Sequence, residues 1–570
     1  MSTEPTAPKL SPVEAIKEAS RYLRGGIAEE LAAESDHFSE SDKQLTKFHG
    51  FYQQDDRDAR KSRKPGGPNK FYMFMVRCKI PGGKIDADKY LALDDLCGRF
   101  ANETLRITTR QSFQFHGVVK DDLKSLIGGI NRAMLSTLGA CGDVNRNVLA
   151  CPAPFAEPSY TQIQQDADTL AAHLAPRSGA YAEIWIDGEK APEPEGNVEP
   201  IYGKVYLPRK FKIGFALPKD NLVDVFANDL GFIAEVRGKE VVGYDLLVGG
   251  GMGMSHGNDK TFPYLGKRIC YIQRDQLVAA SEAVVKLFRD HGNRGDRKLA
   301  RIKYVVHNWG VEKFREVLQT YLPFPLELPH EIQTTDMPLW TGWHDQGDGK
   351  FFYGISVESG RIKDEGTFRL RTALRKIVEK FRPARIRLTP MQDILLADLP
   401  ATAKPEIDAI LLDHGVMPPE RISLLQQHSI SCPALPTCGL ALSESERALP
   451  GIIDQLDAEI RRLGLESEKL TLRMTGCPNG CARPYQSEIG LVGRSGDKYT
   501  VYVGGNLVGD RLNFELRDLV PTSEIVPMLA VLLEQFKASR KRKESFGDWC
   551  VRTGLAKLQQ LVAPQTIASA

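Results

Sequence analysis

Almost no net charge survives along this chain: 75 Lys and Arg against 73 Asp and Glu leave +2 over 570 residues. That balance argues against a nucleic-acid coat or a membrane-surface protein, each of which needs a clear excess of one sign. No apolar run approaches the roughly eighteen residues of a membrane span. The opening Met1-Ser-Thr-Glu-Pro-Thr-Ala-Pro8 lacks the basic-then-apolar pattern of an export signal. Cysteine is sparse, ten in all, and Cys78, Cys97, Cys141, Cys151, Cys270 and Cys550 are scattered singly. A disulfide framework is excluded, and a reducing compartment, the cytoplasm, is expected. A dinucleotide fingerprint is missing as well. Gly-rich Val248-Gly-Gly-Gly-Met-Gly-Met-Ser-His256 has His256 where the third glycine of G-x-G-x-x-G belongs, so NADPH is not expected on this chain.

What is present concentrates in four cysteines near the C-terminal end, in Cys432-Pro-Ala-Leu-Pro-Thr-Cys438 and Cys477-Pro-Asn-Gly-Cys481. Thiolates are soft ligands, and two pairs on short loops suit a metal or iron–sulfur centre. The spacer of the first pair is too long for the usual zinc knuckle. Pro and Gly between the thiols keep these loops out of helix. Four unrelated buried thiols are the plainer alternative; a redox cofactor is the expected one.

At 570 residues the chain exceeds one hydrophobic core, so two or more domains are expected. Residues 1–70 are polar, with a helix start at Pro12–Ala19 and a Gly/Pro/Lys stretch, Lys61–Pro68, read as the mobile end of an arm. Strand-like segments (Tyr72–Lys79, Ala180–Ile186, Thr500–Val503) and helical ones (Ser281–His291, Ser523–Ser539) predict an α+β architecture. A weak internal repeat runs through it. Arg106-Ile-Thr-Thr-Arg-Gln111 matches Arg387-Leu-Thr-Pro-Met-Gln392, and Cys151-Pro-Ala153 matches Cys432-Pro-Ala434. Lys212-Ile-Gly-Phe215 matches Glu488-Ile-Gly-Leu491, and Val248-Gly-Gly250 matches Val503-Gly-Gly505. Matches in one order predict two related halves about a pseudo-two-fold axis, where both can supply ligands to a large cofactor.

The C-x5-C pair followed by Gly476-Cys-Pro-Asn-Gly-Cys481 resembles the signature of the nitrite/sulfite reductase siroheme family, and the likeness runs from Tyr22 to Gly554. It implies a 4Fe–4S cluster on Cys432, Cys438, Cys477 and Cys481, with Cys481 also ligating the iron of a siroheme. It implies an internally duplicated α+β fold, three domains around a central cofactor site. Residues 74–138 with 340–419 would form a ferredoxin-like duplicated domain, 139–339 the siroheme and substrate domain, and 420–570 the cluster domain. Residues 1–73 would be an arm contacting a partner. The implied reaction is six-electron reduction of sulfite to sulfide in the assimilatory NADPH-dependent branch, with siroheme nitrite reduction as the alternative. No flavin or NADPH signature is visible, so electrons would come from a separate flavoprotein carrying FAD and FMN, or from ferredoxin.

Single basic residues are usually solvated, but the resemblance assigns several of them jointly. Sulfite ligands map to Arg77, Arg146, Lys210 and Lys212; the last two share a strand face by their period-two spacing. Convergent cations suit a small oxyanion beside an anionic macrocycle, Arg giving forks and Lys giving point charge and protons. Siroheme contacts map to Arg106, Arg110, Gln114 and His116, which period-two spacing sets on one strand face. Arg301, in the basic stretch Asn293–Lys303, and Asn479 complete the set. The glycines of Val248–Met254 and Val503–Gly505 are expected to let backbone approach the macrocycle. The basic run Lys537–Lys543 reads as a helix end and not as a nucleic-acid patch.

Overall fold

The computed structural model describes residues 9–62, 70–181, 185–186, 189–190 and 199–563. Two of its four five-stranded sheets exchange edges. In one, Phe51–Asp55, Tyr72–Arg77, Phe113–Val118 and Leu105–Ile107 run antiparallel, and the far edge is Arg361–Ile362 from the second half. In the other, Gly342–Asp345, Phe351–Ile355, Ile394–Leu399 and Arg385–Leu388 receive Lys84–Ile85 from the first half. Each half completes the other's sheet, and one core joins Leu93 and Leu96 with Leu374 and Ile377.

The remaining two sheets share one topology. Asn145–Ala150, Phe211–Ala216 and Leu230–Arg237 run parallel, followed by antiparallel Glu240–Val248 and Lys267–Gln273. Ser429–Ser431, Leu472–Thr475 and Ile489–Ser495 repeat the parallel trio, followed by antiparallel Lys498–Val503 and Phe514–Pro521. Helices cover these strands through apolar stripes at three- and four-residue spacing. Leu449–Leu463 buries Ile452, Ile453, Leu456, Ile460 and Leu463, and ends on Gly464 in the left-handed conformation. The expected helical segments fall inside Leu277–His291 and Thr522–Ser539.

The duplication is legible atom by atom. Gln111 and Gln392 both take positive φ, +50° and +74°. Gln111 Nε2 donates to Leu388 O at 3.0 Å, and Gln392 Nε2 donates to Ile107 O, the equivalent carbonyl, at 3.4 Å. Cys151 and Cys432 each follow the first strand of their sheet, and Gly249 and Gly504 each follow the fourth at φ +98° and +100°. The third sequence match slips by one strand. Lys212-Ile-Gly-Phe215 lies in the second strand of its sheet, whereas Glu488-Ile-Gly-Leu491 enters the third. The true counterpart of the latter is Asp229-Leu-Gly-Phe232, because an Ile/Leu-Gly-apolar triplet fits either buried strand. Counting back without a gap sets Asp224 opposite Arg483, Leu222 opposite Cys481 and Pro218 opposite Cys477.

The N-terminal stretch is no arm. Leu23, Leu45 and Phe48 sit in the core of the 145–273 sheet, Phe38 and Phe51 in that of the 51–118 sheet. Each such burial contributes roughly 1.5–3 kcal/mol, enough together to hold the stretch in place. These anchors are too widely spaced to show as periodicity. Of the expected loop Lys61–Pro68, residues 63–68 lie outside the described residues, as do 182–184 of the expected strand Ala180–Ile186; Trp185–Ile186 pairs with Glu189–Lys190. Among the described residues no helix is long and apolar enough to cross a membrane.

Candidate active site

Cys432 follows Ser429–Ser431, while Cys477 and Cys481 lie on the loop after Leu472–Thr475. All three therefore stand at carboxyl ends of parallel strands, where α/β sheets gather ligands. Cys432 and Cys477 are buried, Cys438 is half-buried and Cys481 is exposed. The thiols of Cys432, Cys438 and Cys477 are each pushed up to about 12, by burial first and then by neighbouring thiols, Cys481 included. Yet among the described residues no three His, Cys, Asp or Glu side chains converge closely enough to hold one metal ion. Thiols that feel one another but are too spread for a single ion fit a four-iron cluster, in which each takes its own iron. Gly476 N–H donates to Cys432 Sγ at 3.3 Å and Asn479 Nδ2 to Cys477 Sγ at 3.4 Å, the sulfur-directed donors such a cluster needs. Asn479, expected at the macrocycle, thus turns its amide to a cysteine.

Within electrostatic reach of Cys481 is a crowd of cations. Lys210 and Lys212 are half-buried, and among the described residues neither ammonium has a hydrogen bond or ion pair. Both are pushed well below the ordinary lysine value. Burial is the first cause; Arg146, Arg301 and Arg209 add to it at Lys210, and Lys210, Arg110 and Arg301 at Lys212. The Cys481 thiol acts in the opposite sense on Lys210. Burial, then Arg146, Arg483 and Arg77, bring Arg110 down to about 9. Its fork donates to Asn228 Oδ1 at 3.1 Å and to Asn147 O. Arg146 donates to Gly142 O at 3.2 and 3.3 Å, and Arg77 Nη1 to Cys141 Sγ at 3.1 Å. Arg77, Arg110, Arg146, Lys210 and Lys212 are therefore brought together.

Three neighbours escaped the sequence. The Tyr52 phenol lies within electrostatic reach of Arg146 and Cys141, and Arg209, brought down to about 10 by burial, stands beside Lys210. Arg209 was visible in the run Arg209-Lys-Phe-Lys212; Tyr52 and Cys141 had no signal, because they come together only through the sheet.

The expected siroheme face needs correcting. Arg106, Gln114 and His116 do not share one strand with Arg110. The chain reverses at Thr108–Ser112, where Thr108 N–H donates to Ser112 O at 2.9 Å and Gln111 turns left-handed, so Arg110 sits on the turn. Arg77, Gln114, Arg106 and Arg361 form a row across four strands. Arg106 donates to Glu446 at 2.8 Å and to Ser431 O at 3.0 Å. Burial alone would raise the Glu446 acid, but Arg361 and Arg106 hold it at about 2. Arg301 likewise pairs with Asp229 at 2.7 Å. Gln114 Nε2 reaches Met75 Sδ at 3.3 Å. His116 is fully buried with neither ring nitrogen partnered among the described residues, and burial followed by Arg361 and Arg106 pushes its pKa far down. The glycine loop approaches protein: a Cβ on Gly250 would fall 2.3 Å from Phe226 O, and one on Gly253 3.1 Å from Asn479 O. An anionic macrocycle and an oxyanion fit this donor set: Lys210 and Lys212, crowded by arginines, would regain their full proton affinity beside negative charge.

The family model described as nitrite and sulphite reductase 4Fe-4S domain matches residues 165–326 and 430–567. The nitrite/sulfite reductase ferredoxin-like half domain matches 68–133 and 344–414. A Staphylococcus saprophyticus protein named sulfite reductase (NADPH) hemoprotein beta-component is 43% identical over 96% of each chain, and its Chromohalobacter salexigens namesake is 44% identical over 96% of each. A Synechococcus elongatus sulfite reductase (ferredoxin) is 43% identical over 98% of this chain and 92% of its own. The solved structure of Mycobacterium tuberculosis NirA protein superposes with a TM-score of 0.79 at 24% identity, covering 96% of this chain and 98% of that one. Such identity over nearly the whole length, with each family model matching the chain twice, has one consequence: the chain belongs to the nitrite and sulphite reductase family.

Proposed function

We propose that this chain reduces sulfite to sulfide, with siroheme and a 4Fe–4S cluster as its cofactors and a separate protein as its electron donor. The carrying observation is the pair Lys210 and Lys212, partnerless ammonium groups crowded by Arg146, Arg301 and Arg110 beside Cys481. Like charges held together unpaired are costly until an anion joins them, and sulfite is such an anion.

When bound, siroheme and the cluster would supply single electrons at low potential to the sulfur of sulfite. The rest falls to side chains. Cys432, Cys438, Cys477 and Cys481 would hold the cluster, with Cys481 the thiol nearest the cations. Arg77 and Arg146 present forked N–H groups to the substrate oxygens. Lys210 and Lys212 add charge and hold protons at Nζ; their lowered affinity lets them give those protons to oxygens leaving as water. The macrocycle's carboxylates fall to Arg110, Gln114 and His116. Arg106, Arg301 and Asn479 stand behind them, committed to Glu446, Asp229 and Cys477. The division into 74–138 with 340–419, 139–339 and 420–570, and a partner contact on the outer face of 1–73, belong to this proposal. All ten cysteines are free thiols, which suits a reducing cytoplasm.

Purified protein assayed for siroheme absorption, iron and acid-labile sulfide, then for turnover of sulfite against nitrite with a small chemical reductant, tests the reading. A siroheme band that shifts on adding sulfite, and faster sulfite turnover, are expected. A preference for nitrite, or zinc in place of iron, sinks it.

A further inference from the structure

Arg483 lies two residues past Cys481, where the two halves of the molecule meet. Its backbone is left-handed at φ +57°, as is that of its counterpart Asp224 at φ +49°, and each opens a one-turn 3-10 helix. These equivalent residues carry opposite charges and touch: Arg483 Nε donates to Asp224 Oδ2. The rest of the guanidinium reaches both halves evenly. Nη1 donates to Thr109 O at 3.2 Å and Nη2 to Pro390 O at 3.3 Å. Thr109 and Pro390 are themselves equivalent positions of the repeat Arg106–Gln111 and Arg387–Gln392.

One rigid fork therefore ties the turn carrying Arg110 to its counterpart and both to the loop carrying Cys481. Thr109 returns the contact, its Oγ1 donating to Cys481 O at 3.2 Å, and the Arg483 N–H closes the cysteine turn on Gly480 O at 3.0 Å. Asp224 adds a second route: its carbonyl accepts from Asn228 Nδ2 at 3.1 Å, and Asn228 Oδ1 accepts from Arg110 Nη1 at 3.1 Å. Neutralising Asp224 does not require Arg483. Arg473 already pairs with that carboxylate at 2.9 Å, and all three side chains are buried. What the second guanidinium adds is reach to both halves.

We propose that Arg483 is a positioning residue whose fork sets the Cys481 loop against the Arg110 turn. This rests on the reading that Cys481 holds metal and Arg110 faces the macrocycle.

The test is Arg483→Met and Arg483→Lys in the full-length holoprotein. In Arg483→Met, Asp224 keeps Arg473, so no buried carboxylate is orphaned. Unchanged siroheme and iron content, a KM for sulfite within about twofold, and a kcat lower by about a hundredfold are expected, with an altered electron paramagnetic resonance signature of the coupled centre. Lysine keeps the charge but cannot span two carbonyls, so Arg483→Lys should not restore kcat. Wild-type kcat and signature in Arg483→Met, or full recovery in Arg483→Lys, overturns the proposal. If the variants load no cofactor, hydrogen exchange of the full-length apo chain decides: the amides of Gly480 and Arg483 must exchange faster together with those of Arg110 and Gln111. Faster exchange at only one segment, or at neither, overturns it. Failure of wild-type protein to reduce sulfite would refute the proposed function and leave this exchange result intact.

Discussion

Lys210 and Lys212 set function against stability in single side chains. Both have folded-state pKa values well below the ordinary 10.5, burial being the first cause. The folded chain therefore binds their protons less readily than the unfolded chain does, and this penalty grows as pH falls below about 10.5. At neutral pH, removing one of these charges should stabilise the protein free of cofactors and substrate. Lys210→Met and Lys212→Met are expected to raise the thermal midpoint of the apo chain. The same variants should lower kcat/KM for sulfite by roughly ten- to a hundredfold, the value of one charge-assisted contact. Calorimetry beside steady-state kinetics checks both halves; a variant less stable and fully active would contradict them. Local spacing put the two lysines on one strand face, and only the family resemblance marked them as substrate ligands. The Arg106–Glu446 pair was not legible, since its members stand 340 residues apart and meet only where two sheets pack together.

Between elements, the informative comparison is with the place equivalent to the active site. There Leu222 replaces Cys481, Pro218 replaces Cys477 and Met391 replaces Arg110, leaving Cys151 as the counterpart of Cys432. Leu222, Met391 and Trp340 line a residual cavity of about 10 Å³, room for roughly one water. On the proposed reading, the repeat builds its site with cysteines from one half and cations from the other. Sequence matching revealed the duplication but slipped on one strand, since apolar triplets do not record register. The interface between halves also predicts acid sensitivity. Against the effect of burial, Arg361 and Arg106 hold Glu446 at about 2, below its ordinary 4.5. Inside the first half, and again against burial, Asp143 is held at about 2, below 3.8, by Arg297, Lys17 and Arg209. Carboxylates with depressed folded pKa values stabilise above their unfolded values and lose that contribution as pH falls through the folded ones. Apo protein should therefore lose urea resistance between pH about 4.5 and 2, and Glu446→Gln should be less stable at pH 7 with a shallower acid slope. An unchanged slope would mean that the pair contributes nothing.

Across the whole molecule, the open question is who delivers electrons. The stretches that look closest to a flavoprotein-partnered branch, Tyr22–Glu30 and Tyr52–Asp58, serve the interior in part: Leu23 is fully buried, and Gln53 Oε1 accepts from the Phe38 N–H at 2.7 Å. Residues fixed by core and pocket do not discriminate between donors, and relatives named for NADPH and for ferredoxin are equally similar, at 43% identity. What the chain does settle is that it lacks the G-x-G-x-x-G spacing in its one glycine-rich run, and Gly250 and Gly253 in that run lie against Phe226 O and Asn479 O. NADPH alone should therefore leave the purified protein oxidised, while a small chemical reductant drives sulfite turnover without any second protein. Adding an FAD- and FMN-containing flavoprotein with NADPH should restore turnover, and should do so faster than reduced ferredoxin at equal concentration. Faster turnover with ferredoxin would move the chain to the other donor class. Reduction by NADPH with no partner present would overturn the reading that electrons come from a separate protein.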